Sequence, residues 1–303
     1  MPLHAAVVSR RRLLGAGIAG GASLVVCPAA DTATADPNRL ALLSDTHVPE
    51  SPDVSARGVN MTANLRQVVT ELTGLDVKPA AVLINGDCAY LKGRPEDYRN
   101  LAACVGPLTA AGLPLHLTMG NHDDRGPLYA ELAVQKPARP LVESKHVSLI
   151  ETPHANWFLL DSLREVDVVT GELGTQQLAW LAAALDAHAD KPAVIVAHHN
   201  PQFTPPEEGK RWTGLQDTAA FFDLIHTRRQ VKAYIFGHSH VWSVAERNGI
   251  HLVNLPPVAY VFAAGKPNGW VLAEGRPDGL RLTLRTLATD HPSSGERVEL
   301  AWR

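Results

Sequence analysis

The sequence predicts an α/β protein in which a largely parallel sheet carries helices on both faces. From Asp36 onward, short apolar runs of strand length alternate with segments whose apolar residues recur at the i, i+3, i+4 and i+7 spacing of one helix face. Strands that alternate with helices favour parallel pairing through right-handed crossovers. Several strand-like runs stop at acidic, amide or imidazole side chains, so the carboxyl ends of the strands are the expected place for function.

In the first half, three predicted strands are separated by two predicted helices. The strands are Leu40–Ser44, Ala80–Ile84 and Leu115–Met119. The first helix stops at Gly74, and its apolar face comprises Leu65, Val68, Val69 and Leu72. The second helix should be interrupted or kinked near Gly106 and Pro107, and its apolar face comprises Tyr98, Leu101, Val105 and Leu108.

The second half adds a hairpin-like pair and two more strand–helix units. The predicted strands are His146–Ile150, Asn156–Leu160, Pro192–Ala197 and Val231–Phe236. One helix has Thr175 as its expected N-cap, and another covers about Asp217–Arg228. The tail is predicted to form antiparallel strands over His251–Leu255, Trp270–Glu274 and Leu280–Leu287. Because no repeat or linker interrupts the pattern, residues 36–303 are predicted to form one domain.

Residues 1–35 are predicted to be an export signal rather than part of the fold. Paired arginines in Ser9–Leu14 precede the mild, glycine-rich run Gly15–Val26, and Ala33–Ala35 supplies small residues for cleavage. This pattern resembles a twin-arginine signal, which implies a periplasmic or extracellular protein with no membrane span in its mature chain. A transmembrane anchor is the alternative, but the apolar run is short for a bilayer.

The composition is that of an ordinary soluble globular protein. The 303 residues are 45% hydrophobic and 19% charged, with a net charge of −3. That charge gives no reason to expect a nucleic-acid polymer or an anionic membrane as a partner. The 14 histidines are many for this length and several are clustered, which indicates metal binding.

Five of the apolar runs end in groups that can bind metal. Each motif alone has an ordinary interpretation, as a turn or as a solvated surface. Their shared position at strand ends favours function, because open α/β sheets place their sites there. Mixed oxygen and nitrogen ligands suit Fe, Mn, Zn or Co better than Ca or Mg. The number of groups is enough for two ions that share one carboxylate. The five groups are Asp45 and His47, Asp87, Asn121 and His122, His198, and His238 and His240.

The motif order resembles the calcineurin-like metallophosphoesterase superfamily. The match runs from Leu40 to His240 through Asp-x-His, Gly-Asp, Gly-Asn-His-Asp, His and Gly-His-x-His. The resemblance implies a four-layer αββα sandwich of two mixed sheets and a binuclear metal site. One ion would be bound by Asp45, His47, Asp87 and His240. The other would be bound by Asp87, Asn121, His198 and His238, with Asp87 as the bridge.

The same resemblance implies a reaction and two further roles. Phosphodiester bonds would be hydrolysed by a hydroxide that bridges the two ions. His122 would lie near the departing oxygen and donate a hydrogen bond or a proton. Asp123 would fix the tautomer of His122. A small phosphoester is then the expected substrate.

Within the superfamily, the sequence is most similar to the class III phosphodiesterases, which act on cyclic nucleotides or glycerophosphodiesters. The stretches that carry this similarity are Tyr98 to Leu101, His122 to Arg125, Leu160 to Ser162, and Gly174 with Gln177 to Leu181. Asn200 departs from the family pattern, which has proline there. Selectivity is expected to depend on the loops Pro49–Asn60, Gln202–Gly214 and Pro256–Asn268.

Three alternatives stay open at this point. The same site can serve a phosphomonoesterase, and Tyr90 occupies the place of an iron-binding tyrosine in purple acid phosphatases, although those enzymes lack the equivalent of His47. A non-catalytic binding protein of the same fold would lack a ligand or His122, and the sequence retains them all. Cys88 and Cys104 are expected to be two buried thiols, although an export compartment would permit a disulfide.

Overall fold

The computed structural model describes residues 35–303. Apart from Ala35, the predicted export signal lies outside these residues, so export stays a prediction. Among residues 35–303, no helix is both long and apolar enough to cross a bilayer.

The first sheet has six strands, three parallel and three added on one side. The parallel strands are β1 (Ala35–Ser44), β2 (Lys78–Asn85) and β3 (Leu115–Thr118). Three strands from the chain's end complete it: β10 (Gly269–Arg276), β11 (Gly279–Thr286) and β12 (Arg297–Ala301). The strand order is β12-β11-β10-β1-β2-β3, with β10 antiparallel to β1.

The second sheet also has six strands and comes from the middle of the chain. Its strands are β4 (Ser148–Glu151), β5 (Asn156–Leu159), β6 (Ala193–Val196), β7 (Val231–Phe236), β8 (Ser243–Arg247) and β9 (Ile250–Asn254). The order is β4-β5-β6-β7-β9-β8, and β5, β6, β7 and β9 are parallel.

Five α-helices are described: α1 (Met61–Gly74), α2 (Pro95–Ala110), α3 (Arg125–Glu131), α4 (Thr175–Ala187) and α5 (Thr218–His226). Helix α1 begins where the side chain of Asn60 accepts a hydrogen bond from the backbone of Ala63. Helix α2 has Pro95 in its first turn, where a missing N–H costs nothing. It continues through Pro107 to Ala110, so the expected interruption does not occur.

The alternation of side chains along β1 explains the layered core. Leu40 and Leu42 point into the apolar layer shared with residues of the second sheet such as Val196 and Ile235. Ala41 and Leu43 point the other way, into the layer that packs against α1 and α2. Helices α4 and α5 cover the outer face of the second sheet. The predicted four-layer αββα sandwich of two mixed sheets is therefore confirmed.

Some details differ from the sequence prediction. Strand β9 pairs parallel with β7, although the tail was expected to be antiparallel throughout. Elements β8, β12 and α3 were not predicted. The residue that caps α4 is Gly174, with Thr175 as the first helical residue. Cys88 and Cys104 are both buried free thiols, as expected.

Candidate metal centre

The predicted ligands come together where the carboxyl ends of the two sheets meet. Asp45 and His47 follow β1, Asp87 follows β2 and Asn121 follows β3. The second sheet adds its residues after two neighbouring strands, His198 after β6, and His238 and His240 after β7. Apart from the fully buried Asp45 and His198, these residues line a cleft of about 580 Å³.

One group of potential ligands consists of Asp45, His47 and His240, with one ligand atom from each within 4.8 Å of the others. Nε2 of His240 lies 3.0 Å from Nε2 of His47 and 3.3 Å from Oδ1 of Asp45. All three residues are at most 2% exposed. This arrangement matches most of the set predicted for the first ion.

A second group consists of Asp87, His198 and His238, again with ligand atoms within 4.8 Å of one another. Oδ2 of Asp87 is 3.3 Å from Nε2 of His198 and 3.7 Å from Nε2 of His47. One carboxylate oxygen therefore faces both groups, which is the position that a bridging ligand requires. Asn121 lines the same cleft and is 3% exposed.

The backbone at these strand ends adopts conformations that residues other than glycine rarely adopt. Five of the seven predicted ligands have positive φ values: Asp45 (51°), His47 (43°), Asp87 (46°), His238 (67°) and His240 (54°). Such residues cost free energy and concentrate at functional sites. Glycine permits the close packing between them, because a Cβ at Gly86 would lie 2.6 Å from the ring of His198 and one at Gly120 would collide with Asp87.

The charges of the site are shared between carboxylates and imidazoles. Burial alone would raise the pKa of Asp45, but the charges of His240 and His198 outweigh it and hold that pKa well below its usual range. The pKa of Asp87 is likewise lowered, chiefly by the charge of His198. Burial opposes protonation of His198, yet Asp87 and Asp45 raise its pKa to about 10. Burial lowers the pKa of His47 to about 3 and that of His238 to about 4.

Several nitrogen and oxygen atoms that could bind metal are buried and have no hydrogen-bond partner, as expected of metal ligands. They include Oδ1 of Asn121, Nε2 of His198 and Nδ1 of His238. The opposite nitrogen of each ring is held by a backbone carbonyl: Nδ1 of His198 by Asn85 at 2.9 Å and Nε2 of His238 by Thr213 at 2.7 Å. Outer-shell hydrogen bonds of this type orient ligand histidines. The residues therefore fit a pair of metal ions.

His122 lies beside the cluster at the edge of the cleft. Its backbone N–H donates to Oδ1 of Asp87 at 2.9 Å, and its ring lies 5.4 Å from that of His47. Its Nδ1 is 2.6 Å from the carbonyl oxygen of Leu91, which is a hydrogen bond in which the ring donates. The other nitrogen, Nε2, is then the one available to a substrate.

The prediction that Asp123 orients His122 is wrong. The Asp123 carboxylate is fully buried and accepts hydrogen bonds from the backbone of Cys88, Ala89 and Gly120 and from the hydroxyl of Tyr98. It ties the loop after β2 to the loop after β3, and His122 is oriented by Leu91 instead. Burial and the charge of Asp87 raise the pKa of Asp123 to about 6.

A family model for the calcineurin-like phosphoesterases matches residues 38–242, which span every proposed ligand. The chain belongs to the calcineurin-like phosphoesterase family. Its site holds the two ligand groups described above and, among the described residues, a third group of His47, Asp87 and His122. This is the site of a metal-dependent phosphohydrolase.

Known proteins resemble this phosphoesterase along most of its length. It is 27% identical to a 3′,5′-cyclic-nucleotide phosphodiesterase of Nostoc over 75% of this chain and 80% of that protein. It is 32% identical to a glycerophosphodiester phosphodiesterase of Enterobacter lignolyticus over 54% of this chain and 56% of that one. A dimetal phosphatase from Danio rerio has the same fold, with a TM-score of 0.66 at 17% identity, covering 88% of this chain and 100% of that one.

The cleft of the phosphoesterase contains residues that the sequence analysis did not name. They include Asp167, Val169, Thr213, Ser239, Tyr260 and Phe262. Asn200, which departs from the family pattern, lines the cleft as well. Thr213, Tyr260 and Phe262 belong to two of the loops from which selectivity was expected. Asp167 and Val169 lie in a loop with no motif around them, so nothing in the sequence marked them. Ser239 and Asn200 lie within or beside the histidine motifs that follow β7 and β6.

Arg125 does not line the cleft, although it lies only two residues after the Gly-Asn-His-Asp motif. Its guanidinium binds both oxygens of the buried Asp161, at 2.6 and 2.7 Å, and the carbonyl of Leu163 at 2.9 Å. The side chain therefore fixes the loop after β5 and is not available to a phosphate.

Proposed function

We propose that this phosphoesterase hydrolyses phosphodiesters at a centre of two divalent transition-metal ions, with Fe, Mn, Zn and Co as the candidates. Two observations support the proposal together. The potential ligands form two neighbouring groups, and one carboxylate oxygen of Asp87 faces both of them. The relatives named above act, by their names, on cyclic nucleotides and on glycerophosphodiesters. Both of those substrates are phosphodiesters, so they are the first natural candidates.

The single observation that favours a diester over a monoester is the charge of the cleft. Among the described residues, those that line the cleft include no lysine and no arginine. A monoester dianion is normally bound by such cationic groups, arginine above all, in addition to metal. A diester carries one negative charge and a second organic arm. A cleft of about 580 Å³ whose lining carries carboxylates but no lysine or arginine suits that arm and makes no demand for further cations.

The side chains of the site have separate tasks in this reaction. Bound metal ions would supply Lewis acidity to the phosphoryl oxygens and a nucleophile from water. His122, held at Nδ1 by Leu91, presents Nε2 to the oxygen that departs. Water adds its oxygen to phosphorus as the phosphorus–oxygen bond to the leaving group breaks, and a proton reaches the departing alkoxide. An open diester gives a phosphomonoester and an alcohol, whereas a cyclic nucleotide opens to one nucleoside monophosphate that carries the freed hydroxyl.

A phosphomonoesterase at the same centre is the second candidate. The sequence feature that suggests it is Tyr90, close to the Gly-Asp motif. In the structure Tyr90 packs on the small apolar cluster of Met61, Ala259 and Tyr260 and does not line the cleft. This placement agrees with a packing role for Tyr90 and gives the monoesterase no additional support.

The proposal is tested by a metal assay on the purified protein together with a panel of phosphoesters. We expect close to two ions per chain, loss of activity after chelation and recovery after metal is restored. A cyclic nucleotide, a glycerophosphodiester and matching monoesters make up the panel. A protein that binds metal but cleaves none of them would contradict the proposal and favour a non-catalytic binding protein.

A further inference from the structure

One wall of the cleft is aromatic and adjoins the first group of ligands. Phe262 is 56% exposed, whereas its neighbour Tyr260 is 8% exposed. The Phe262 ring stacks on His240, with centroids 4.3 Å apart and an interplanar angle of 26°. The Tyr260 ring stacks on His47, with centroids 5.3 Å apart and an angle of 18°. Tyr260 and Phe262, called here the aromatic wall, are therefore in contact with the proposed ligands while still lining the cleft.

The loop that carries the aromatic wall is firmly attached. The side chain of Asn64 donates to the carbonyls of Val258 and Ala259 at 3.0 and 2.8 Å. The backbone of Ala259 donates to the carbonyl of Asp45 at 3.0 Å. The guanidinium of Arg57 lies 4.9 Å from the centroid of the Phe262 ring. An exposed phenylalanine that is held this way loses little side-chain entropy when a ligand covers it.

The rest of the lining offers groups that suit a sugar or a base. Val169 adds a second exposed apolar surface, 36% exposed. Thr213, Ser239 and Asn200 bring hydroxyl and amide groups, which both donate and accept hydrogen bonds. A cleft with one rigid aromatic surface and a few polar groups is typical of sites for planar organic ligands.

His122 and Tyr260 both contact the ring of His47, and His122, Tyr260 and Phe262 all line the same cleft. His122 meets His47 edge-on at an interplanar angle of 61°, whereas Tyr260 is nearly parallel to the same ring. A diester whose departing oxygen lies at His122 thus has its retained arm free to extend towards Phe262. We propose that the aromatic wall binds the retained arm of the substrate and selects diesters in which that arm is a nucleoside or an aryl group. This inference rests on the proposed phosphodiesterase function and names its substrate class.

Three diesters with one leaving group provide the test: methyl p-nitrophenyl phosphate, bis(p-nitrophenyl) phosphate and the p-nitrophenyl ester of thymidine monophosphate. The leaving group and the chemical step are the same, so their kcat/KM values differ through the retained arm. In the metal-loaded wild-type protein, we expect both aromatic arms to be preferred over methyl. In Phe262→Leu, the preference for thymidine over methyl should fall about tenfold, because stacking of a base on an aromatic ring is lost.

Two further variants serve as controls. Phe262→Trp keeps a flat ring and should retain the preference. Phe203→Leu removes another exposed phenylalanine, 39% exposed and outside the cleft lining, and should not change it. Because Phe262 also contacts His240, a disturbed metal site would lower kcat/KM for all three diesters equally. An equal loss, or an unchanged preference in Phe262→Leu, would overturn the inference.

A binding measurement separates this inference from the proposed function. Calorimetric titration of the metal-loaded protein with thymidine monophosphate and with methyl phosphate needs no turnover. Weaker binding of the thymidine compound alone in Phe262→Leu supports the aromatic wall, even if no diester is cleaved. Absence of hydrolysis of all three diesters by the wild type would contradict the phosphodiesterase proposal. Equal affinity of the wild type for both monophosphates would contradict only the role of the wall.

Discussion

The two sheets have the same number of strands, yet they contribute different chemistry to the one site between them. The first sheet supplies the oxygen ligands, from Asp45, Asp87 and Asn121, together with His47. The second sheet supplies imidazoles, from His198, His238 and His240. All the negative charge among the proposed ligands therefore comes from one side of the cleft.

This difference shows how the halves are held together. Both oxygens of Asp45 lie 3.2 Å from the backbone N–H of His238, and Asp87 lies 3.3 Å from Nε2 of His198. The carboxylates of the first sheet thus lie against polar or chargeable groups of the second. A change in the first sheet should disturb both ligand groups, whereas a change in the second should disturb mainly one.

The largest effect expected from this asymmetry is on Asp87. Asp87→Ala removes the oxygen that faces both groups, so the variant should bind less than one ion per chain where the unaltered protein binds close to two. Its kcat/KM for a diester should fall to the assay background. His198→Ala, in the second sheet, should lose about one ion. Metal content measured by elemental analysis on purified proteins distinguishes the two results.

Asp76→Ala is the matched control, because Asp76 is exposed and lies outside the cleft. It should keep full metal content. Full occupancy in Asp87→Ala would remove Asp87 as a shared ligand and would break the distinction drawn between the sheets.

The next effect concerns His122, which follows β3 of the first sheet but is not proposed as a ligand. His122→Ala should keep both ions and lower kcat by roughly 10²–10⁴-fold for diesters with poor leaving groups, as expected for loss of a general acid. The loss should be smaller with p-nitrophenolate, which needs little protonation. Equal losses for good and poor leaving groups would place His122 in substrate binding instead.

A smaller effect is the release of protons when metal binds. The carboxylates of the first sheet raise the pKa of His198 to about 10, against the opposing effect of burial, so the metal-free site holds a proton there at pH 7. The contribution of this protonated ring to folding stability is complete below about pH 6.5 and is lost as the pH rises towards 10. A metal ion must displace the proton, so affinity should increase with pH.

Calorimetric titration of Zn²⁺ into metal-free protein, in buffers with different ionisation enthalpies, measures this release. About one proton or more should leave at pH 7, and fewer in Asp45→Asn, because one of the charges that raise the pKa of His198 is removed. Binding without any proton release would contradict the charge distribution described for the two sheets.

The smallest expected effect on catalysis concerns Asp123, whose replacement should change stability and not the chemical step. Asp123→Asn replaces one of the oxygens that accept hydrogen bonds from Cys88, Ala89, Gly120 and Tyr98. We expect the free energy of unfolding to fall by about 1–3 kcal/mol, the cost of unsatisfied buried donors. The dependence of rate on leaving group should not change.

Asp167→Asn is the comparison variant for stability, because this carboxylate is partly exposed whereas that of Asp123 is buried. Asp167 lines the cleft, with Oδ1 at 3.8 Å from Nδ1 of His122, and its side chain is 41% exposed. Its replacement should leave the free energy of unfolding within about 0.5 kcal/mol of the wild-type value.

The outcome that would contradict the structural role of Asp123 is a change in leaving-group dependence in Asp123→Asn without loss of stability. The orienting role predicted from the sequence would then be restored.

The ligand positions could be predicted because each follows an apolar run of a strand. Parallel strands bring their carboxyl ends to one edge, so Asp45, Asp87 and Asn121 converge without any knowledge of the loops. The role of Asp123 could not be predicted in the same way. Its partners are mostly backbone N–H groups of other loops, and a backbone group leaves no trace in the sequence.

The aromatic wall and the order of the tail were missed for related reasons. Tyr260 and Phe262 lie in a loop, where no periodicity indicates which side chains face a cleft. The residue pattern of strand β9 is compatible with parallel or antiparallel pairing. In the structure β9 pairs parallel with β7 on one side and antiparallel with the edge strand β8 on the other. Helix α2 tolerates Pro107 close to its end, where only one turn remains to be disturbed.

The most direct test of the central claim is a pair of kcat/KM values measured in one metal form. The substrates are bis(p-nitrophenyl) phosphate and p-nitrophenyl phosphate, which share a leaving group and differ in charge and in the second arm. Because the described lining of the cleft has no lysine or arginine for a dianion, we expect the diester to have the higher kcat/KM. A monoester preferred by about tenfold, a difference of roughly 1.4 kcal/mol in transition-state binding, would contradict the phosphodiesterase proposal and favour a phosphomonoesterase.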